Sequence, residues 1–332
     1  MIYRTLGRTG LRVSEIGYGA WGIGGNQWRG VGDDESLAAL RRAIELGVNF
    51  IDTALAYNEG HSERLIGQVL RESKALVATT RAAVSVATKI PPKNRVWPAM
   101  PGTPISEVFP YDYSIACTET SLRNLGVETI DVQQFHVWNP EWLASPQSND
   151  EWRRAIEDLK RAGKVRYFGI SINAHEPDSA LEAIETGLID TVQVIYNIFD
   201  QTPEANLFPL CEARNIGVLA RVPLDEGALT GTISEDSVFE DGDFRAHYFR
   251  GERKREVVER VNALVKDLGT DEPIAETALR FCLSHPAVST VIPGMRKIRN
   301  VEANCRVSDV GPLSSNLRGV VRKHAWNKNY YR

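Results

Sequence analysis

The sequence predicts a single (β/α)8 barrel, the TIM-barrel fold of the α/β class, and three observations lead to it. Eight short apolar segments typical of buried parallel strands alternate with segments of helical spacing. The connections at 91–112, 137–150 and 223–251 are long, and all follow the carboxyl ends of predicted strands, where barrel enzymes build their sites. The glycine cluster after the first strand leads into a polar loop rather than a helix, which disfavours an open dinucleotide-binding sheet.

Turn residues, acidic residues and glycines indicate where the predicted strands and helices begin and end. Residues 1–15 form a hairpin cap, because a glycine-containing turn separates two β-prone segments. Helices are predicted where apolar residues recur at helical spacing, the first with an acidic first turn and others ending at glycines such as Gly163 and Gly187. The predicted barrel strands are 16–19, 48–52, 84–88, 130–135, 165–170, 191–195, 216–220 and 288–292. The predicted helices are 33–46, 62–72, 113–125, 151–162, 177–185, 203–214, 255–268, 274–283 and 298–307.

The sequence predicts a single domain with additional C-terminal helices. The helix at 255–268 and the tail after Pro312 exceed a minimal barrel, so extra C-terminal helices are expected. No shift in composition, internal repeat or low-complexity tract indicates a second unit. Residues 1–332 are therefore predicted to form one barrel domain.

Composition excludes several classes of protein. The 332 residues are 42% hydrophobic and 25% charged, with a net charge of −4, which is typical of a globular enzyme and gives no broad positive face for nucleic acid. No apolar run is long enough for a membrane span, and the first residues lack a signal core, so a cytoplasmic location is expected. The four cysteines are widely spaced and predicted to be reduced, and the six histidines lack metal-site spacing, so no metal is expected. The oligomeric state stays open.

Polar side chains follow three successive predicted strands. Asp52 ends the second strand, Lys89 follows the third, His136 follows the fourth, and Tyr57 lies in the loop after Asp52. Because neighbouring parallel strands end at the same rim of a barrel, these four side chains are expected to converge. Taken singly, each has a structural explanation, as a turn cap, a solvated lysine, a core histidine or a rim tyrosine. Four such coincidences at successive strand ends favour a site.

The four residue types suit carbonyl chemistry. A phenol has a pKa near ~10, and we expect the Lys89 ammonium to lower it, so that Tyr57 can act as a general acid. Asp52 supplies the anion that a buried Lys89 needs, and His136 can donate a hydrogen bond that orients a carbonyl. A Schiff-base aldolase built on Lys89 is disfavoured, because Asp52 would keep the amine charged.

Specific motifs extend along nearly the whole chain. They are Gly19-Ala20-Trp21; Phe50-Ile51-Asp52-Thr53-Ala54 with Tyr57; Gly60-His61-Ser62-Glu63 before Leu65-Ile66-Gly67; Ala87-Thr88-Lys89; Ser121-Leu122-Arg123-Asn124-Leu125-Gly126-Val127 before Ile130-Asp131; Phe135-His136; Gly163-Lys164-Val165-Arg166; and Ile292-Pro293-Gly294. In these motifs the chain resembles the aldo-keto reductases. The resemblance implies a catalytic tetrad in which Tyr57 donates the proton, Lys89 and Asp52 tune it, and His136 orients the carbonyl. It also implies that the hairpin plugs the bottom of the barrel.

The resemblance further implies residues that hold a nicotinamide cofactor. Ser171 and Gln193 match the positions that bind the carboxamide, and Asn173 is a weaker match because Ile172 separates it from Ser171. Arg221 stands where the family commonly stacks an aromatic ring on the nicotinamide. A guanidinium would be unfavourable beside the positively charged oxidised ring, so Arg221 could instead meet a phosphate.

The phosphates are expected at two later segments. The resemblance implies that the loop starting at Leu224 covers the pyrophosphate, although Thr232 stands where lysine is frequent. It also implies that the adenosine 2′-phosphate lies at Gly294, Arg296 and Lys297, with Asn304 near the adenine. Glycine allows close approach of the backbone, and a basic helix start suits a phosphate. NADP (NADPH) is therefore predicted over NAD.

The substrate is predicted only by class. Trp21, Trp97, Trp138 and Trp142 lie in segments that should line or cover the pocket, and Trp21 is also expected at the cofactor. The expected function is NADPH-dependent reduction of an aldehyde or ketone, possibly derived from a sugar. Two alternatives stay open, a dehydrogenase of the same fold that oxidises a sugar or alcohol, and a nucleotide-sensing interaction subunit.

Overall fold

The structure, a computed structural model, describes residues 1–77, 83–144 and 146–331, and for residues 73–77 and 146–150 only the helical backbone. The chain begins with the predicted hairpin, in which β1 (Tyr3–Thr5) pairs antiparallel with β2 (Arg12–Ser14). Eight parallel strands follow. They are β3 (Tyr18–Gly19), β4 (Phe50–Asp52), β5 (Ser85–Ile90), β6 (Ile130–Phe135), β7 (Val165–Ser171), β8 (Thr191–Ile195), β9 (Gly217–Arg221) and β10 (Val288–Val291).

These strands form a closed barrel, as predicted. Each of β3 to β9 pairs in parallel with the strand that follows it in sequence. The first and last strands meet through two parallel bridges, in which Gly17 N donates to Val291 O at 2.8 Å and Gly19 N donates to Pro293 O at 3.0 Å. Gly19 allows this approach, because a Cβ there would lie 2.5 Å from the Ile292 carbonyl oxygen.

Helices surround the barrel. They are α1 (Asp33–Glu45), α2 (His61–Val77), α3 (Ile105–Val108), α4 (Tyr111–Leu125), α5 (Pro146–Arg161), α6 (Leu181–Glu185), α7 (Leu207–Arg214), α8 (Phe244–Tyr248), α9 (Arg253–Leu268), α10 (Ile274–Leu283), α11 (Ile298–Val310) and α12 (Ser315–Arg322). The C-terminal additions include α12, which packs against α9. Within the parts of the chain that the structure describes, no helix has the length and apolar character to cross a bilayer.

Some predicted boundaries are wrong at prolines. The predicted loop 137–150 is shorter, because α5 already starts at Pro146, where a fixed φ and a missing N–H suit the first helical turn. The helix predicted at 177–185 starts as a 3₁₀ turn at Pro177 and becomes α-helical only at Leu181. Helix α7 starts at Leu207, after a 3₁₀ turn around Pro203.

The hairpin closes the amino-terminal end of the barrel. A separate apolar cluster joins Leu6 and Val13 of the hairpin to one inward-facing residue from each of several strands, namely Phe50, Ala87, Val132, Leu219 and Ile292. The fit is tight, because a Cβ on Gly7 would lie 2.2 Å from the backbone nitrogen of Gly217. The predicted plug is therefore present.

The residues of this apolar cluster also show which side chains point inward at the opposite end of the barrel. Successive side chains of a strand point to opposite faces, so the residue two positions after an inward-facing one also points inward. Phe50 is followed in this way by Asp52, Ala87 by Lys89, Val132 by Gln134, and Leu219 by Arg221. A polar layer therefore lies above the apolar one, at the carboxyl ends of the strands.

We expect Leu6→Ala to lower the free energy of unfolding by about 2–4 kcal/mol, because it leaves a cavity in the plug contact. Urea unfolding monitored by circular dichroism measures this change. Val238→Ala is the matched control, because Val238 is almost fully exposed and its truncation should change stability by less than about 0.5 kcal/mol. Equal stability of the two variants would contradict the plug.

Candidate active site

The four predicted catalytic side chains converge at the carboxyl end of the barrel. Lys89 Nζ donates to Asp52 Oδ2 at 2.6 Å, to the Thr53 carbonyl oxygen at 2.8 Å and to Tyr57 Oη at 3.2 Å. The rings of Tyr57 and His136 have centroids 5.8 Å apart and lie edge to face. Lys89 and Asp52 are buried, and Tyr57 and His136 are half-buried. Two of the four groups are thus accessible to a ligand.

Strand ends and one tight turn place these groups. Asp52 ends β4 and His136 follows β6, whereas Lys89 lies inside β5, which continues to Ile90 and is longer than predicted. Tyr57 precedes a turn at Asn58, whose φ is +51° and whose side-chain Nδ2 donates to Gly24 O at 2.8 Å. This bond ties the tyrosine loop to the loop that follows β3.

Two buried amides hold the other oxygen of Asp52. Gln193 Nε2 donates to Asp52 Oδ1 at 2.6 Å, and Gln134 Nε2 lies 3.4 Å from the same oxygen. The Gln193 amide nitrogen, which we expected at the cofactor carboxamide, thus faces Asp52. Sequence reasoning missed Gln134, although its position two residues before His136 on a buried strand indicates an inward-facing amide.

The pKa values indicate that Tyr57 is a neutral phenol and Lys89 a charged ammonium. Burial raises the pKa of Tyr57, and this effect outweighs the lowering by Lys89, so the expected net decrease is wrong. The neutral phenol is the form that can donate a proton. Burial alone would lower the pKa of Lys89, but Asp52 and Tyr57 raise it above its usual value, so the lysine stays charged.

His136 is neutral. Burial lowers its pKa well below the usual value, and the positive charges of Lys89 and Arg221 lower it further. Its Nδ1 is buried and has no hydrogen-bond partner among the described residues. A neutral imidazole keeps one N–H, which can donate to an oxygen without delivering a second proton.

Two tryptophans flank the accessible groups, and two others do not. Trp21 stacks on Tyr57 with centroids 6.2 Å apart, and the exposed Trp97 meets His136 edge to face at 5.8 Å. Trp138 and Trp142 are buried and pack against each other at 5.5 Å, so their predicted place at the pocket is wrong. They are core residues because the loop after β6 folds inward onto α5.

The segment 91–112 crosses the active face. Ala99 N donates to Asn173 Oδ1 at 3.3 Å, Asn139 Nδ2 donates to Met100 O at 3.2 Å, and Trp142 Nε1 donates to Thr103 O at 2.8 Å. The segment is thereby fixed to the loops after β6 and β7. Asn173 also donates from Nδ2 to a carboxylate oxygen of Glu176, so its amide helps to hold this segment, and its predicted contact with the cofactor stays a prediction.

Further predicted cofactor residues lie at the ends of β7 and β9. Ser171 ends β7 and is buried, and Arg221 ends β9 and is half-buried. Leu224 is half-buried and precedes the turn at 225–230. Arg221 Nε is buried without a hydrogen-bond partner in the described chain. Arg221 Nε and His136 Nδ1 are thus two buried polar atoms without partners among the described residues at the carboxyl end of the barrel, which we call the barrel mouth. They fit a site that binds a polar planar group such as nicotinamide.

The predicted phosphate segment is only partly arranged as expected. Gly294 is exposed, Lys297 immediately precedes α11, and Asn304 is buried within α11. The Arg296 guanidinium instead folds back and donates to the carbonyl oxygens of Trp28 at 3.2 Å and Arg29 at 2.8 Å. Through Nη1, Arg296 stabilises the loop after β3, and its place at a phosphate stays a prediction.

The C-terminal tail reaches the loop after β9, a contact that the sequence did not predict. Tyr331 Oη donates to Glu226 Oε1 at 2.5 Å, and burial raises the pKa of Glu226 to about 7. The preceding residue, Asp225, forms a buried ion pair with Arg253 of α9 and accepts a hydrogen bond from Tyr248. The aromatic residues of the tail were the available signal for this packing.

A closed β/α barrel with a polar group of this kind at its carboxyl end defines a barrel enzyme. The family model for the aldo/keto reductase family matches residues 15–323, and the chain therefore belongs to this family. This confirms the resemblance inferred from the motifs, and it makes the chain a member of an oxidoreductase family.

Three relatives show the range of the similarity. The aldo-keto reductase YhdN of Bacillus subtilis is 30% identical over 310 residues, which cover 91% of this chain and 87% of the relative. The NADH-specific methylglyoxal reductase of Escherichia coli is 31% identical over 266 residues, covering 76% and 77%. The structure of a glycerol dehydrogenase from Gluconobacter oxydans is similar with a TM-score of 0.74 and 28% identity, covering 95% and 92%.

The buried Glu226 predicts a pH-dependent stability. A carboxyl whose pKa is raised from 4.5 to about 7 binds its proton more tightly when folded, so its contribution to stability decreases as pH rises between these values. We expect the unfolding free energy of the unaltered protein, relative to Glu226→Gln, to fall by about 3 kcal/mol across this range.

Urea unfolding at several pH values measures this difference. Glu226→Gln keeps an acceptor for the Tyr331 hydroxyl while removing the titration. Parallel pH profiles for the two proteins would show that Glu226 does not titrate in this range.

Proposed function

We propose that the protein is an NADP-dependent aldo-keto reductase that reduces an aldehyde or ketone to an alcohol, with Tyr57 as the proton donor. The observation that carries the proposal is the hydrogen bond between Tyr57 Oη and a buried, charged Lys89, beside a neutral His136. A bound NADPH supplies the hydride.

Each of the four side chains has a separate role in the proposed reduction. His136 donates a hydrogen bond that holds the carbonyl oxygen beside Tyr57 Oη. As the carbonyl carbon gains the hydride, its double bond to oxygen becomes single and the oxygen takes the Tyr57 proton. Lys89 stabilises the resulting phenolate, Asp52 keeps Lys89 charged, and solvent returns the proton to Tyr57.

The residues present fit a nicotinamide cofactor. Ser171 and Gln193 lie opposite each other on β7 and β8 near the carboxyl end of the barrel, where a carboxamide could bind. Lys297 and the start of α11 support a phosphate and hence NADP, because helix N–H groups and an ammonium both attract an anion. One relative is named as NADH-specific, and this comparison opposes the choice of NADP.

A second candidate is oxidation of an alcohol or polyol in the reverse direction. The observation that favours it is the similarity over nearly the whole chain to a protein named a glycerol dehydrogenase. The same four side chains serve both directions, because the Tyr57 phenolate can accept the alcohol proton.

Tyr57→Phe is expected to lower kcat for aldehyde reduction by at least about a hundredfold, because the proton donor is lost. Loss of NADPH absorbance with methylglyoxal and a small aromatic aldehyde measures turnover, and tryptophan fluorescence measures NADPH affinity, which should change by less than about threefold. Tyr167→Phe is the control, because Tyr167 packs in the lower apolar layer. Undiminished turnover in Tyr57→Phe would reject this role.

We expect the protein to bind NADPH at least about tenfold more tightly than NADH, because Lys297 pairs with the additional phosphate. Fluorescence titration with both cofactors measures the ratio, and Lys297→Met should reduce it. Lys323→Met serves as the control, because this lysine is exposed at the end of α12. Equal affinities in the unaltered protein would defeat the NADP assignment.

A further inference from the structure

Arg221 bridges three strand ends at the barrel mouth. It ends β9, two residues after the inward-facing Leu219, and its Nη2 donates to the carbonyl oxygen of Ile172 at 3.0 Å. Ile172 directly follows β7, and β8 lies between β7 and β9 in the barrel. The guanidinium therefore crosses above the end of β8, the strand that carries Gln193.

The charge of Arg221 is not neutralised by a close carboxylate. Lys89 is paired with Asp52 and Arg253 with Asp225, whereas no carboxylate of the described residues lies within 4.0 Å of the Arg221 guanidinium. Glu226 interacts electrostatically with Arg221, but its pKa of about 7 leaves it only partly charged at neutral pH. The positive charge of Arg221 is thus only partly compensated at the carboxyl end of the barrel.

The position of this charge determines what it acts on. A ring held between Ser171 and Gln193 lies directly against the guanidinium that spans those two strand ends. His136, which must face the carbonyl, follows β6, and Tyr57 lies in the loop after β4, so both lie on the other side of β7 from Arg221. A nicotinamide held at Ser171 and Gln193 would therefore lie between Arg221 and the reacting carbonyl.

We infer that Arg221 makes the protein bind the reduced cofactor in preference to the oxidised one, an inference that rests on the proposed function. The oxidised nicotinamide ring carries a positive charge and the reduced ring is neutral. A guanidinium beside the ring therefore destabilises bound NADP⁺ and leaves NADPH nearly unaffected. The oxidised cofactor is then released more readily after each reduction.

Two other roles for Arg221 give different binding patterns. If the guanidinium binds a cofactor phosphate, its removal weakens NADPH and NADP⁺ equally, because both carry the same phosphates. If it binds an anionic group of the substrate, its removal changes neither affinity. Only a charge beside the ring changes the ratio of the two dissociation constants.

The test is a pair of titrations, with NADPH and with NADP⁺, by tryptophan fluorescence and calorimetry. In Arg221→Met, which keeps much of the side-chain length without the charge, we expect the ratio of the NADP⁺ to the NADPH dissociation constant to fall by about tenfold. Arg221→Lys should retain most of the ratio. Lys297→Met is the matched control, because loss of a phosphate contact should weaken both forms together.

The outcomes separate this inference from the function on which it rests. If the unaltered protein binds both forms and Arg221→Met leaves the ratio unchanged, the inference is overturned and the proposed function stands. If the unaltered protein binds neither form, the proposed function itself fails. Circular dichroism verifies the fold of each variant, and Arg221→Gln, which also lacks the charge, provides a second reading if Arg221→Met is unfolded.

Discussion

The buried ion pair between Lys89 and Asp52 is the interaction on which the site depends. A charged pair loses its hydration on burial, and this cost is offset only where the remaining polar atoms find partners. Here Asp52 receives hydrogen bonds from Lys89 and Gln193, and Lys89 also donates to the Thr53 carbonyl and to Tyr57. Because β4, β5 and β8 each contribute one member, the alignment of these strands is part of the chemistry.

The apolar layer beneath the pair supports this alignment. The alternation that points Asp52 and Lys89 into the mouth also points Phe50 and Ala87 into the cluster sealed by the hairpin. A shift of one residue in any strand would turn its polar group toward the outer helices and an apolar residue into the site. The same alternation of side chains along the strands therefore closes the amino-terminal end of the barrel and places the polar groups at its carboxyl end.

The sequence predicts what strand periodicity controls and fails where loops decide. Asp52, Lys89 and His136 were predictable because the ends of parallel strands meet, and Tyr57 because it follows one of them closely. The direction of the Tyr57 pKa was not, since it depends on how deeply the ring is buried, which local sequence does not encode. Trp138 was misplaced for a related reason, because it lies in a connecting segment that folds into the core. The contacts of Arg296 and Asn173 with neighbouring loops were not predicted for the same reason. The tail contact at Tyr331 joins residues 105 positions apart and left only a composition signal.

The charges at the mouth combine into one electrostatic arrangement. Asp52 and Lys89 neutralise each other, so this pair leaves no net negative charge to offset Arg221. The remaining positive charge lowers the pKa of His136 and opposes the burial that raises the pKa of Tyr57. A mouth of this kind favours the negative charge that develops on a carbonyl oxygen during reduction and disfavours a cationic ring beside it. In the proposed reaction, the Arg221 guanidinium would therefore stabilise the carbonyl oxygen as it becomes anionic and destabilise the nicotinamide ring as it becomes cationic.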